Sequence, residues 1–434
     1  MNILSLEDES VEYAFLTMAL DGGSADDSSG KGGSHHLLGS TLLCGAGDLG
    51  RVEFQNNLDR LGADCAIRTG RRHTVLEAEV LSRNLDELLE LLTTVIKTPR
   101  LEESEFEKQK RIALAELEQV RDSDEELVAF LHAQFVWNGH PYGRSFRGDK
   151  DSISRAEVSD LRDAWEQIKS RGMIVVGGAG DVKEDTLRGW ARDDLALPTG
   201  DPFRISTPAL DSTNWTGVEV LVVDRQDRNQ AQILWGQPSC PALHDDLYAL
   251  RVANTSFGGT FTSTLMQEIR EKRGWTYGAH SSLAADRTTG LFSMGYHVEN
   301  ANMFPSIELG YELYRAWQGN GLSDEEITKA KSYIINSFPF SLETAQKRLE
   351  RELGSLMLGR DKSYLDEFTQ RIDAVTSDDI RRALKTHLSP ERIRLSVLGP
   401  ADQLVPQLDA LPWTGNIQVM SYDEPLRETL SLSR

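Results

Sequence analysis

The feature that most constrains the fold of this chain is an internal repeat. Three pairs of segments match at nearly the same offset. The helical segments 101–119 and 322–340 are offset by 221 residues, and the segments VSDLRDAW at 158–165 and SDDIRRAL at 377–384 by 219. The strand-like runs that end at Gly177 and Gly399 are offset by 222. Both members of the first pair open with an acidic turn, as a helix N-terminus favours. Three matches at nearly one offset predict a duplicated domain of about 200 residues.

The order of elements within each half predicts the fold class. Strand-like runs come first, among them YAFLTMAL at 13–20 and VEVLVVD at 218–224, then groups of helices, and then a closing strand. This order favours an α+β architecture in each half. The segment 197–217 is rich in Pro, Gly, Ser and Thr and predicts an extended linker. We therefore expect two homologous domains, at 1–196 and 218–434.

The charge of the chain excludes some classes of partner. Its 434 residues carry a net charge of −21, which opposes binding to nucleic acid or to an anionic membrane. Because no run of 18 apolar residues is present, we expect no membrane insertion. The N-terminus lacks the basic and apolar regions of a signal peptide, so we expect a cytoplasmic protein, or a periplasmic one if a signal peptide has been removed. Three widely spaced cysteines, Cys44, Cys65 and Cys240, predict reduced thiols rather than a disulfide framework.

Four segments spread over nearly the whole chain resemble the M16 peptidases, the family of insulinase, pitrilysin and the mitochondrial processing peptidases. They are EIREKRGWTYGAHSS at 268–282, DGGSADDSSGKGG at 21–33, HPYGRSFRGD at 140–149 and ERIRLSVLGP at 391–400. The first segment is the most specific. The resemblance implies two αβ-roll domains of the M16 metallopeptidase type, related by internal duplication.

The resemblance also implies where the family's zinc motif should lie. That motif is His-x-x-Glu-His on a helix, which places two histidine ligands and a general base on one face, with a distant Glu as third ligand. In GGSHHLLGS, His36 takes the first position, Gly39 replaces the Glu and Ser40 replaces the second His. Glu116, 76 residues beyond Ser40, fills the third ligand position. Two ligands without a base predict a remnant that binds no metal in this chain.

Two residues could substitute for the missing zinc ligand. His35 is rotated by about 100° from His36 on a helix, so both rings cannot face one metal without distortion. Asp48 lies in the glycine-rich segment GAGDLG, whose conformation the sequence does not predict. We expect neither to restore the site, since catalytic zinc takes three protein ligands and a water.

Arg270 and Tyr277 fall on the positions of the Arg and Tyr that the family uses in its second domain. In isolation, such an Arg is usually a solvated helix charge and such a Tyr a strand residue in the core. The resemblance instead implies that Arg270 binds a substrate carbonyl and that Tyr277 donates a hydrogen bond to the oxyanion of the tetrahedral intermediate. Upstream, FGGT at 257–260 predicts a tight turn, or a flexible segment that contacts substrate, rather than a phosphate loop.

A chain that retains one part of a divided active site requires the other from a partner. We expect a subunit without metal in a heterodimeric M16 zinc peptidase, with zinc held by a partner that carries His-x-x-Glu-His, and with a peptide substrate added as a strand to a sheet edge. One alternative is a non-proteolytic structural subunit of a larger complex. The other is a self-sufficient peptidase with an altered metal site.

Overall fold

Two mixed β-sheets with the same strand order form the framework of the protein. The computed structural model describes residues 2–204, 215, 217–427 and 429–430. The first sheet contains β1 (Asn2–Glu7), β2 (Tyr13–Asp21), β3 (Asp64–Thr69), β4 (His73–Leu81) and β5 (Met173–Gly180). The second contains β6 (Val218–Asp224), β7 (Gln230–Ser239), β8 (Ala279–Ala285), β9 (Gly290–Glu299), β10 (Arg394–Gly399) and β11 (Thr414–Ser421).

The topology of the sheets confirms the duplication. The spatial order is β1-β5-β2-β4-β3 in the first sheet and β11-β6-β10-β7-β9-β8 in the second. Apart from β11, each strand has a counterpart in the same place. The directions also agree, because the first strand of each half pairs parallel with the closing strand, which pairs antiparallel with the second.

The helices are grouped outside the sheets, as the α+β prediction required. In chain order they are α1 (Ser34–Leu42), α2 (Arg51–Leu61), α3 (Leu85–Lys97), α4 (Glu103–Gln119), α5 (Asp124–Val136), α6 (Lys150–Arg155), α7 (Val158–Arg171), α8 (Glu184–Gly189), α9 (Asp246–Phe257), α10 (Met303–Asn320), α11 (Asp324–Ser337), α12 (Ala345–Met357), α13 (Tyr364–Ala374), α14 (Ser377–His387) and α15 (Ala401–Asp409). The pairs α4/α11 and α7/α14 are the repeated helices of the sequence. Each half has its own large apolar core. No helix of the described part is long and apolar enough to cross a membrane.

The two halves exchange one pair of equivalent helices. α5 and α12 both contain 13 residues and begin 221 positions apart, at Asp124 and Ala345. α5 belongs to the first half but packs on β7 and β10, whereas α12 belongs to the second half and packs on β1 and β5. In both places a glycine in the strand permits the helix to pack closely on the sheet. A Cβ at Gly236 would lie 2.6 Å from the His132 ring of α5, and a Cβ at Gly177 would lie 2.8 Å from Leu349 of α12. The halves are therefore interlocked as well as linked.

The predicted linker at 197–217 lies partly outside the described residues, which omit 205–214 and 216. At its start, Thr199 forms an isolated parallel bridge with Met173 beside the first sheet. Near its end, Trp215 is buried and the Arg394 guanidinium lies 3.9 Å from its ring centroid. Both described ends of this segment are thus packed against the body of the protein.

Candidate functional site

The start of α1 is organised around the buried carboxylate of Asp27. This carboxylate accepts hydrogen bonds from the backbone N–H groups of Gly33 (2.8 Å) and His35 (3.1 Å), which lie at the helix N-terminus. It also contacts Nδ1 of the His35 ring at 2.7 Å. His35 is therefore a buried structural residue that holds the helix entry. Asp48, the other candidate for the missing zinc ligand, is exposed beyond the end of the helix. Its backbone carbonyl accepts a hydrogen bond from Arg100.

His36 lies half-buried on the next position of α1. Its ring packs edge-on against Phe146, with the ring centroids 5.8 Å apart. Burial is the main cause that lowers the pKa of His36, and Arg147 lowers it further, while Glu116 acts in the opposite direction. Glu116 is close enough to act electrostatically, but it is exposed, and no hydrogen bond joins it to His36 among the described residues. His36 is thus a half-buried ring whose pKa is lowered mainly by burial, and the Glu116 side chain beside it is exposed.

Gly39 allows α1 to lie directly against β3. A Cβ at this position would be 2.6 Å from Oγ1 of Thr69, a hydroxyl that donates a hydrogen bond to the carbonyl of His35 at 3.0 Å. A glutamate would require this contact to open. The next residue, Ser40, is exposed, and its hydroxyl donates a hydrogen bond to the carbonyl of His36 at 3.1 Å. These residues do not fit a catalytic zinc ion, because they supply one imidazole, one exposed carboxylate and no general base.

Arg270 lies in a π-helical turn at Met266–Glu271, a conformation that is frequent at functional sites. Its guanidinium carbon is 4.5 Å from the ring centroid of Phe261, and its Nη1 pairs with Glu271 at 3.0 Å. The other nearby carboxylate, Glu268, forms ion pairs with Lys272 at 2.5 Å and with Arg273 at 2.9 Å. Arg270 is therefore held on an aromatic face, and its ion pair is with its sequence neighbour alone among the described residues.

Phe261 is a site residue that the sequence analysis did not identify. It is 65% exposed, which is unusual for a phenylalanine. A cation–π contact of this geometry is worth about 0.5–1 kcal/mol at an exposed position and restricts the Arg270 side chain. The sequence shows an aromatic residue nine positions before Arg270. A spacing of nine residues predicts no contact, because the chain between them passes through a turn and a π-helix.

Tyr277 occupies a tight turn before β8. In isolation such a Tyr is usually a strand residue in the core, but here the strand begins only at Ala279. The reason is local: the Thr276 hydroxyl donates to the carbonyl of Gly278 (2.9 Å) and accepts from its N–H (3.2 Å), which closes a turn around Tyr277. Gly274, at φ +66°, ends the preceding helical turn. The Tyr277 side chain is 85% exposed, and its hydroxyl has no hydrogen-bond partner in the described part of the chain.

The FGGT segment is a tight turn, as predicted. Gly258 follows the end of α9, and its carbonyl accepts a hydrogen bond from the Ser281 N–H at 3.0 Å. A Cβ on Gly258 would lie 2.4 Å from that nitrogen, so only glycine fits here. The turn anchors α9 to β8 and leads directly to Phe261.

Comparisons with known proteins agree with this architecture. The family description "Insulinase (Peptidase family M16)" matches residues 2–150, and "Peptidase M16 inactive domain" matches residues 155–334. Among curated relatives, an uncharacterized zinc protease of Mycobacterium leprae is 25% identical over 379 residues, with 87% of this chain and 85% of the relative covered. A non-peptidase homolog, YmxG, of Helicobacter pylori is 24% identical, with 88% of both chains covered.

A solved structure shows the same fold. The peptidase M16 inactive domain from Pseudomonas fluorescens superposes with a TM-score of 0.84 at 20% identity, covering 92% of this chain and 95% of that one. The similarity therefore extends over both halves of this chain.

Proposed function

Because this chain belongs to the M16 peptidase family, we propose that it is the subunit without catalytic zinc in a heterodimeric zinc peptidase. Its partner would be a chain of the same fold that carries His-x-x-Glu-His and the zinc ion. Its substrate would be a peptide. The names of its relatives include both zinc proteases and a non-peptidase homolog, and the site geometry favours the second kind for this chain acting alone.

The observation that carries the proposal is the contrast between the two halves. In the first half, Gly39 is packed against Thr69 where the family's general base would lie, and Ser40 is bonded to its own helix. In the second half, Tyr277 is exposed on a closed turn, and the partly buried Arg270 is held against the ring of Phe261. A purely structural subunit has no need for an exposed tyrosine at a closed turn and an arginine stacked on an exposed phenylalanine.

The chemistry assigned to the two residues follows from their functional groups. The partner's zinc would supply the activated water that attacks the peptide carbonyl. Arg270 would donate hydrogen bonds from its planar, permanently charged guanidinium to a substrate carbonyl. Tyr277 would donate from its hydroxyl to the oxygen that gains negative charge in the transition state. β8 begins two residues after Tyr277 and is the outer strand of its sheet, so a peptide paired with this edge would pass close to both groups.

The proposal is tested by reconstitution. The purified chain should cleave no fluorogenic peptide alone, and an equimolar His-x-x-Glu-His subunit from the same source should produce cleavage only when both are present. Arg270→Ala should raise KM, because the guanidinium also binds the ground-state peptide. Arg273→Ala is the matched control, since that side chain is engaged with Glu268.

The outcomes separate the three hypotheses. Unchanged cleavage by an assembled complex with Arg270→Ala would favour the structural subunit. Cleavage by the isolated chain that is lost on His36→Ala would favour the self-sufficient peptidase with an altered metal site. A complex with this chain that contains no zinc-motif subunit would contradict the heterodimeric peptidase.

A further inference from the structure

A second group of metal-binding side chains lies in the other half of the molecule, away from the α1 region. Cys240, His244 and His387 each offer a ligand atom, and the three atoms lie within 4.8 Å of one another. Cys240 follows β7 directly, His244 is in the loop before α9, and His387 is the last residue of α14. It is the one group of three potential ligands with this geometry among the described residues.

We propose that Cys240, His244 and His387 bind a zinc ion. One thiolate and two imidazoles form a ligand set that suits zinc and leaves its fourth position to water. When the metal–sulfur bond forms, the Cys240 thiol releases its proton to solvent. In a tetrahedral site with ordinary Zn–S and Zn–N bonds the ligand atoms would be about 3.3–3.6 Å apart, so the three groups need to approach by about 1 Å.

The partner of His387 has the arrangement that orients metal-bound histidines. Nε2 of His387 is 3.0 Å from Oδ2 of Asp246, whose other oxygen accepts a hydrogen bond from Arg382 at 2.8 Å. A ring that donates through Nε2 to a carboxylate presents the lone pair of Nδ1 for a metal. Asp246 is buried at the start of α9 and Arg382 fixes its carboxylate, so the ring orientation is determined before any metal arrives.

His244 must adjust more than the other two ligands. Its Nδ1 accepts a hydrogen bond from the backbone N–H of Asp246 at 3.1 Å, and its ring packs edge-on against His387 with the centroids 4.7 Å apart. Because its side chain is 44% exposed on a loop, turning this ring breaks only that hydrogen bond. We therefore expect His244 to contribute least to affinity, and the buried Cys240 to contribute most.

The competing explanation is a metal-free polar cluster. The Cys240 thiol is 3.4 Å from the carbonyl of Pro241 and can donate a weak hydrogen bond to it, as buried thiols commonly do. That explanation accounts for Cys240 by itself, but it does not require two imidazoles to converge on the sulfur. A zinc ion at this point would join the end of α14 to the loop before α9, and it would be distinct from any metal at His36.

The test uses cobalt as a spectroscopic substitute for zinc in the full chain. After chelator treatment under reducing conditions, Co²⁺ is titrated in and absorption is recorded in the visible and near-ultraviolet. We expect one equivalent to bind, to show thiolate-to-cobalt charge transfer and tetrahedral d–d bands, and to be displaced by one equivalent of zinc. Absence of a charge-transfer band at saturating cobalt would overturn the proposal.

Three variants at the site and two controls elsewhere locate the metal. Cys240→Ser should abolish the charge-transfer band, and His387→Asn should lower affinity at least 100-fold while circular dichroism remains unchanged. Asp246→Asn should lower affinity about 10–100-fold, as for other residues that orient a ligand. Cys65→Ser is the matched control and should leave the spectrum intact, as should His36→Ala. A band that persists in folded Cys240→Ser, or that disappears in His36→Ala, would contradict the assignment.

Discussion

The buried imidazole of His132 predicts how stability depends on pH. His132 lies on the exchanged helix α5, with its Nδ1 2.8 Å from Oγ of Ser396 in β10. Complete burial, with a smaller effect from Arg394, lowers the pKa of His132 to about 3. In the unfolded chain the same group has its ordinary pKa of about 6.5. Below that pH the unfolded state binds a proton that the native state excludes, so native stability falls as the solution becomes more acidic and levels off near pH 3.

The magnitude follows from these two pKa values. The contribution of His132 should be close to zero at pH 7.5 and should reach a loss of about 2.7 kcal/mol at pH 4.5, with a slope near 1.4 kcal/mol per pH unit. The assay is denaturant unfolding by circular dichroism between pH 7.5 and 4.5. Because other groups titrate in this range, the reference is His132→Asn, which retains a polar group near Ser396 but does not titrate. The difference between the two proteins isolates the histidine. Parallel curves over this range would refute the idea that His132 is excluded from protonation in the native state.

Two substitutions test the packing on which the account depends. Gly39→Ala should destabilise the protein by about 1 kcal/mol in thermal unfolding. Overpacking against Thr69 costs about 1–3 kcal/mol, and the higher helix propensity of alanine offsets about 1 kcal/mol of this. A raised melting temperature would show that α1 can accept a side chain there. Leu349→Ala, on the face of α12 that covers the first sheet, should cost about 2–5 kcal/mol in denaturant unfolding, whereas the exposed Glu350→Ala on the same helix should change stability by about 0.5 kcal/mol or less. Equal effects of these two would mean that α12 does not form part of the core of the other half.

The sequence predicted those parts of the fold that depend on local patterns. Acidic first turns identified α4 and α11, matching segments marked the positions of α7 and α14, and strand-like runs that end in glycine identified the closing strands β5 and β10. All of these signals act over a few residues. Comparison of the two halves then predicted the duplication. The same patterns did not reveal β1, which has no fully buried residue, or β7, whose apolar run is interrupted by Gly236 and Pro238.

The helix exchange could not be predicted from the sequence, because it depends on contacts between residues far apart in the chain, such as His132 with Gly236 and Gly177 with Leu349. In the sequence, His132 is an ordinary helix residue. Its special environment is evident only from its contacts with Ser396 and Gly236 in the structure. The same limit applies to the candidate site. Arg270 and Tyr277 were singled out through a resemblance, whereas the stacking of Phe261 depends on the path of the chain around a π-helical turn. His387 joins Cys240 only through the packing of α14 against α9.

The most direct test of the central claim is the kcat of the reconstituted heterodimer when this chain carries Tyr277→Phe. The substitution removes one hydroxyl from an exposed turn, so assembly by size-exclusion chromatography and the melting temperature should not change. If Tyr277 donates to the oxyanion formed at the partner's zinc, kcat should fall ~10²–10³-fold with little change in KM. The control is Tyr333→Phe, which alters another exposed tyrosine, on α11, and should leave kcat unchanged. An assembled Tyr277→Phe complex with the kcat of the wild type would contradict the claim that this chain contributes a catalytic group.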